Sequence, residues 1–206
     1  DDYISYVGSS LGDMYGYVFD GVYQYSDFNM LPDGTLQLKD GVVDLSPRGY
    51  APVPGMTKYK DINGDGKITP DDRTSIGNGY PDFYGGITNR FQFYGVDFSF
   101  LLQFSAGNDV YNAMRVFLTQ SRNERTNMLA EVGDRWKPTN ASNKVPSATG
   151  YIPYDISSRF IEDASFLRLK NITLGYTLPE KWTRKIWVNK LRLYVSAQNL
   201  FCLTKY

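Results

Sequence analysis

FYGGITNRFQFYGVDFSFLLQFSAG, residues 83–107, folds on paper into one hairpin with two chemically different faces. With a two-residue turn at Tyr94 and Gly95, Phe93 faces Val96, Phe91 faces Phe98, Asn89 faces Phe100, Ile87 faces Leu102 and Gly85 faces Phe104. All point to one side, because the strand period is two. That side is almost wholly apolar. The other pairs Gln92 with Asp97, Arg90 with Ser99, Thr88 with Leu101 and Gly86 with Gln103, a surface that expects water or polar contacts. A soluble sandwich alternates in the same way, since one side of an antiparallel sheet meets the core. The unbroken series Phe98, Phe100, Leu102 and Phe104 tilts the reading toward a bilayer, because it fits the roughly 9 to 11 residues that a tilted strand needs to cross one.

Composition points the same way. Aromatic residues make up 16% of the 206, with 17 Tyr and 12 Phe, while mean hydropathy is below zero. Strands that alternate apolar and polar residues, with aromatic girdles at their ends, produce that combination. A tyrosine-rich secreted β-sandwich fits composition alone equally well. Lys plus Arg and Asp plus Glu are both 22, so net charge recommends neither nucleic acid nor an anionic membrane surface. A single cysteine, Cys202, excludes an internal disulfide, and the absence of histidine removes the usual imidazole base and His-liganded zinc. An enzyme is therefore the weakest class. Asp71 with Asp72 or Glu162 with Asp163 are the paired carboxylates on offer for glycoside hydrolysis, but neighbours in a strand point to opposite faces, which spoils the second pair. No run of about 18 apolar residues exists for a transmembrane helix. The opening Asp1-Asp2, with neither Met nor signal peptide, reads as the middle of a longer chain.

Along the chain, Tyr15 to Gln24 reads as a strand with Tyr15, Tyr17, Phe19 and Tyr23 on one face. Residues 25–82, rich in Pro, Gly and Asp, form one long connection with a short strand near Thr35 to Leu38. A second long connection, 105–160, has weak helical periodicity between Val110 and Glu131. Its Trp136, Tyr151 and Tyr154 are candidates for stacking on a bound substrate, although packing of the loop on itself is the favoured reading. Arg159 to Leu178 is a second long strand whose near half, Arg168 to Lys170, breaks the alternation. Leu191 to Leu203 is a third, reached through a short linker in which Trp182 and Trp187 suit a membrane interface.

Inside the first connection, Asp61, Asn63 and Asp65 stand at positions one, three and five of a twelve-residue loop, with Gly66 at six and Asp72 at twelve. That spacing can wrap a calcium ion with Asp61, Asn63, Asp65, the Lys67 carbonyl and Asp72. Asp replaces the usual Glu at twelve, and the flanks cannot start the helices of an EF-hand. Two readings stand, a calcium loop in a non-helical setting and a metal-free loop of Asx turns. Both stiffen the connection.

Short turns at 94–95 and 179–190 alternate with the long connections, the layout of an outer-membrane barrel with long extracellular loops. Five strands, marked by Tyr15, Tyr84, Val96, Phe166 and Leu191, are too few to close one, and an open edge in lipid is prohibitively costly. The expected fold is all-β: antiparallel staves of a larger transmembrane barrel across 1–206. A secreted, calcium-stabilised, glycan-binding sandwich is the alternative, and it needs the apolar faces of the hairpins to pack on each other.

The chain also resembles a family. Tyr15 to Tyr17 followed by Asp20 to Gln24, then Tyr59 to Gly66 with Asp71 to Arg73, Pro81 to Phe83, Gly107 to Asp109, Arg135-Trp136, Ser158 to Phe160, Phe166 to Tyr176 and Val195 to Phe201 are similar, in order, to the carboxy-terminal barrel region of SusC/RagA-type TonB-dependent transporters. The resemblance implies an outer-membrane barrel of about 22 strands, plugged by an amino-terminal domain and lidded by a SusD-like surface lipoprotein. It implies power from the TonB complex, contact with outer-membrane lipid, and import of oligosaccharides or peptides too large for porins. It also places the plug, the TonB-contacting segment and the remaining staves outside these 206 residues.

Overall fold

A computed structural model describes residues 3–5, 7–120, 127–152 and 155–205. They form two units, one from 1–79 and 110–161, the other from 80–109 and 162–206.

In the first unit, β1 (Tyr3–Ile4), β2 (Asp13–Gly16) and β7 (Thr74–Asn78) make a small antiparallel sheet, while β3 (Phe19–Val22) pairs with β6 (Thr57–Tyr59) and β4 (Phe28–Met30) with β5 (Leu36–Leu38). The β4–β5 hairpin closes where the Asp33 carboxylate accepts from Thr35 N at 2.9 Å, an Asx turn. The helix α1 (Ala113–Thr119) starts where Asn112 Oδ1 accepts from Arg115 N, also at 2.9 Å, filling one of the orphan donors of a first turn. Tyr17, Tyr23, Phe28, Leu45, Met56, Tyr59, Ile68 and Ile152 are buried together as the core. The two long connections are thus not free loops: they supply both halves of a packed body.

The strand expected over Tyr15 to Gln24 is interrupted. Between β2 and β3 the backbone of Tyr17 turns away, its N–H donating to Ile156 O and its carbonyl accepting from Ser158 N, each at 3.0 Å. Gly16 permits this approach, since a Cβ there would stand 2.4 Å from the Ile156 carbonyl oxygen. Tyr17 and Tyr23 are buried in the core, so this run is not a membrane stave, and the count of five falls to four.

The second unit is one antiparallel sheet in the order β13-β12-β9-β8, made of β8 (Phe83–Phe93), β9 (Val96–Ala106), β12 (Phe166–Thr177) and β13 (Arg192–Thr204). The shorter β10 (Asp109–Tyr111) and β11 (Ile161–Asp163) span the borders of the two units. The opening hairpin has the expected register, from Phe93 opposite Val96 to Phe83 opposite Ala106. Its turn has φ of 46° at Tyr94 and 83° at Gly95, the pair of positive values that matches the twist of a two-residue hairpin. The strand expected from Arg159 starts later, at Phe166. Ser158 to Phe160 is a 3-10 turn, and Ser165 N donates to Asp163 Oδ1 at 2.9 Å, which bends the chain before β12 begins.

Candidate functional site

The sheet's two faces are the feature that limits what this protein does. Across its four strands the register aligns Phe93, Val96, Tyr176 and Leu193 in one row, Phe91, Phe98, Leu174 and Val195 in the next, then Asn89, Phe100, Ile172 and Ala197. A shift between Leu169 and Asn171 follows. Lys170 is the extra residue against β9, while β13 accommodates both Asn199, at φ 51°, and Leu200. This bulge explains the broken alternation at Arg168 to Lys170. It returns Leu169 and Leu167 to the apolar side, in rows with Ile87, Leu102 and Phe201 and with Gly85, Phe104 and Leu203. Asn89 is the one polar side chain in these rows.

That apolar face is open. Phe93 is 73% exposed, Leu193 61% and Val195 75%, and Phe91, Ile87 and Leu174 are exposed as well. The sandwich alternative requires the two hairpins to stack face to face, whereas they lie edge to edge in a single sheet. So large a contiguous apolar surface expects another apolar medium against it.

On the opposite face, Arg192 grips the Asp97 carboxylate with two hydrogen bonds, the one from Nε at 2.9 Å. Gly175 lies beneath this pair: a Cβ there would come within 2.6 Å of the Asp97 oxygens and 2.7 Å of Arg192 Nη2. A concavity of about 350 Å³ opens beside it, lined among others by Arg90, Gln92, Ser99 and Lys190. It carries three cations against one carboxylate, a polar wall of the kind that faces water or an anionic group.

In the first unit, Arg48 forms a bidentate pair with Asp155, both bonds 2.6 Å and both side chains largely buried. Its guanidinium sits 4.3 Å over the Tyr17 ring, Tyr17 stacks on Tyr59 at 5.0 Å, and Tyr59 OH donates to Asp155 at 3.1 Å. Burial, reinforced by the Asp155 charge, raises the Tyr59 phenol well above its ordinary range, so it stays a neutral donor. This cluster clamps one connection to the other. Nothing in the sequence signals it, since its members are widely separated in the chain.

Two of the aromatic candidates, Trp136 and Tyr151, lie against other side chains of the first unit. Trp136 is 7% exposed, donates from Nε1 to Gln24 Oε1 at 2.9 Å and lies 5.5 Å from the Tyr25 ring. Tyr151 lies 5.3 Å from the Arg159 guanidinium, which also sits over Phe160 and Phe19. Tyr154 lies outside the described residues. Nearby, a cavity of about 380 Å³ is lined by Phe19, Lys144 and Arg159 together with the bidentate pair Arg115 and Glu131. Hydrogen bonding from Arg115 holds the Glu131 carboxyl below its usual range.

In the 61–72 loop each expected side-chain ligand already serves the backbone. Asp61 accepts from Gly64 N and Gly66 N at 2.7 Å, Asn63 from Asp65 N at 2.9 Å and Asp65 from Lys67 N at 2.8 Å. Asp72 is buried and accepts from Ile62 N at 2.9 Å and Thr69 N at 2.8 Å. Burial pushes the Asp72 carboxyl up, but the amides of Thr69, Ile62 and Asn63 outweigh it and leave the pKa lowered. Among the described residues no group of three or more His, Cys, Asp or Glu gathers at metal-binding spacing. The paired carboxylates considered for hydrolysis are spoken for in part: Asp72 closes this loop, and Asp163 takes the Ser165 amide.

No family model matches the chain. TonB-dependent receptor P3 of Formosa agariphila is 35% identical over 199 residues, 97% of this chain and 18% of that protein. TonB-dependent receptor SusC of Bacteroides thetaiotaomicron is 33% identical over 156 residues, 75% of this chain and 15% of SusC. Over most of its length the chain is similar to TonB-dependent receptors, SusC among them. It spans about a fifth of the length of the curated relatives it matches. The RagAB peptide importer in its closed-closed state superposes with a TM-score of 0.66 at 22% identity, over 96% of this chain and 20% of that one, which shows the shared fold. In outer-membrane barrels generally, each stave has one apolar and one polar side, the alternation that this sheet also has.

Proposed function

We propose that this chain is part of an outer-membrane active transporter that imports oligosaccharides or peptides together with a SusD-like surface lipoprotein and draws its energy from TonB. The observation that carries this reading is the four-stranded sheet with apolar rows, interrupted by Asn89 alone, on one open face and polar residues with the Arg192–Asp97 pair on the other. Such a sheet is stable only as part of a closed barrel in lipid, where every edge is paired. The packed unit built from 1–79 and 110–161 is the part available to meet cargo or lid. In cells producing the complete protein, uptake of a labelled oligosaccharide or peptide should require TonB, and the protein should fractionate with the outer membrane and co-purify in detergent with a lipoprotein. Uptake indifferent to TonB, or a detergent-free soluble protein, contradicts this.

Calcium at the 61–72 loop belongs to the same proposal. Asp61, Asn63, Asp65 and the Lys67 carbonyl would hold the ion, while Asp72 closes the loop from behind. This donor set supplies part of the six to eight oxygens calcium prefers. Calorimetry on the complete protein should show calcium binding that Asp65→Ala abolishes; no heat of binding removes the ion from the picture. Asp72→Ala should cost about 1–3 kcal/mol with or without calcium, because it removes the buried carboxylate to which the Ile62 and Thr69 amides donate.

A further inference from the structure

The connection between β12 and β13, residues 178–191, is a small folded unit with an unusual surface. Its helix α2 (Glu180–Thr183) runs into a 3-10 turn, Arg184–Ile186, and Trp187 ends it at φ 60°. Val188 N donates to Thr183 O at 3.1 Å and Leu178 N to Leu191 O at 2.9 Å, while the Thr183 side chain is buried inside. What faces outward is Trp182, 61% exposed, Ile186, 60%, and Trp187, 97%. Around them stand Lys181, Arg184, Lys185 and Lys190 with one acid, Glu180, which pairs with Arg184 at 3.0 Å.

The β8–β9 turn lies at the same end of the sheet, since Thr177 N donates to Gly95 O at 2.7 Å. It adds Phe93 and Tyr94, also exposed. Charge is opposite at the far end, where Asp82, Glu162 and Asp163 flank the strand termini and Lys205 reaches Asp163 at 3.2 Å. The balanced net charge of the whole chain conceals this separation. Indole rings beside lysines, at the end of an apolar sheet face, match a headgroup layer that is apolar below and anionic above.

We propose that residues 178–191 dock on anionic phospholipid headgroups and fix this end of the sheet at the phospholipid surface of the membrane. The inference rests on the barrel reading above and adds a lipid preference to it. The complete protein would be reconstituted into nanodiscs of phosphatidylethanolamine with a minority of phosphatidylglycerol, and the lipids it retains after mild extraction counted by native mass spectrometry. Phosphatidylglycerol should be enriched over its bulk share. In Lys181→Gln/Lys185→Gln the enrichment should fall by about fivefold for each charge removed, while Lys39→Gln/Lys58→Gln in the other unit keeps it. Equal enrichment in both variants, or none in the parent, overturns the lipid preference and leaves the barrel standing. Failure of the parent to enter nanodiscs overturns the barrel reading and this inference with it.

Discussion

An arginine at Leu174 is expected to block assembly of the complete protein in membranes, while an arginine at Gln198 is tolerated. Leu174 lies in the apolar row with Phe91, Phe98 and Val195, and Gln198 on the polar face beside Asn171 and in line with Leu101 and Thr88. Both positions are exposed, so in a soluble domain either cation would simply be hydrated. Against lipid the two differ. An arginine near the bilayer midplane costs about 2–4 kcal/mol, whereas one facing the lumen keeps its water. Folding into vesicles, followed by the gel-mobility shift of an intact barrel and by urea titration, measures the gap. Equal stabilities for Leu174→Arg and Gln198→Arg would mean that hydrocarbon does not lie against this face.

Arg48→Ala should open the first unit without touching the sheet. It leaves Asp155 largely buried beside Tyr59 with its bidentate partner gone, and breaking such a pair from one side costs about 3–5 kcal/mol. Limited proteolysis of the complete protein should then cut within 25–82 and 127–152 faster by about two to three orders of magnitude. Arg48→Met/Asp155→Leu removes both charges together and should restore most of the protection, since apolar replacements of similar volume are often neutral. Rapid cleavage in that double variant would show that the ion pair itself, and not the packing around it, holds the connections together.

The hairpin at 83–107 was legible because everything about it is local. A two-residue turn and a period of two determine every partner from Phe83 to Ala106 once Tyr94 and Gly95 take positive φ. The same period fails at Lys170, because a bulge inserts a residue that no alternation rule anticipates. Only the neighbouring strands reveal that Leu167 and Leu169 rejoin the apolar rows. Tyr15 to Gln24 misled for a related reason: its alternating tyrosines describe a strand, but Ile156 and Ser158 capture the backbone of Tyr17 and split the run in two.

Composition and alternation by themselves determined that this chain is antiparallel β and that its long strands have one greasy and one wet side. These follow from nearest-neighbour geometry, which sequence order encodes directly. Which of the strands form the sheet, how the long connections become a packed unit around Tyr23 and Ile68, and where Arg48, Trp136 and Asp72 spend their hydrogen bonds were decided by the tertiary structure alone. Those contacts join residues far apart in the chain, and their strength comes from shared burial, a property that no residue possesses until the others have gathered round it.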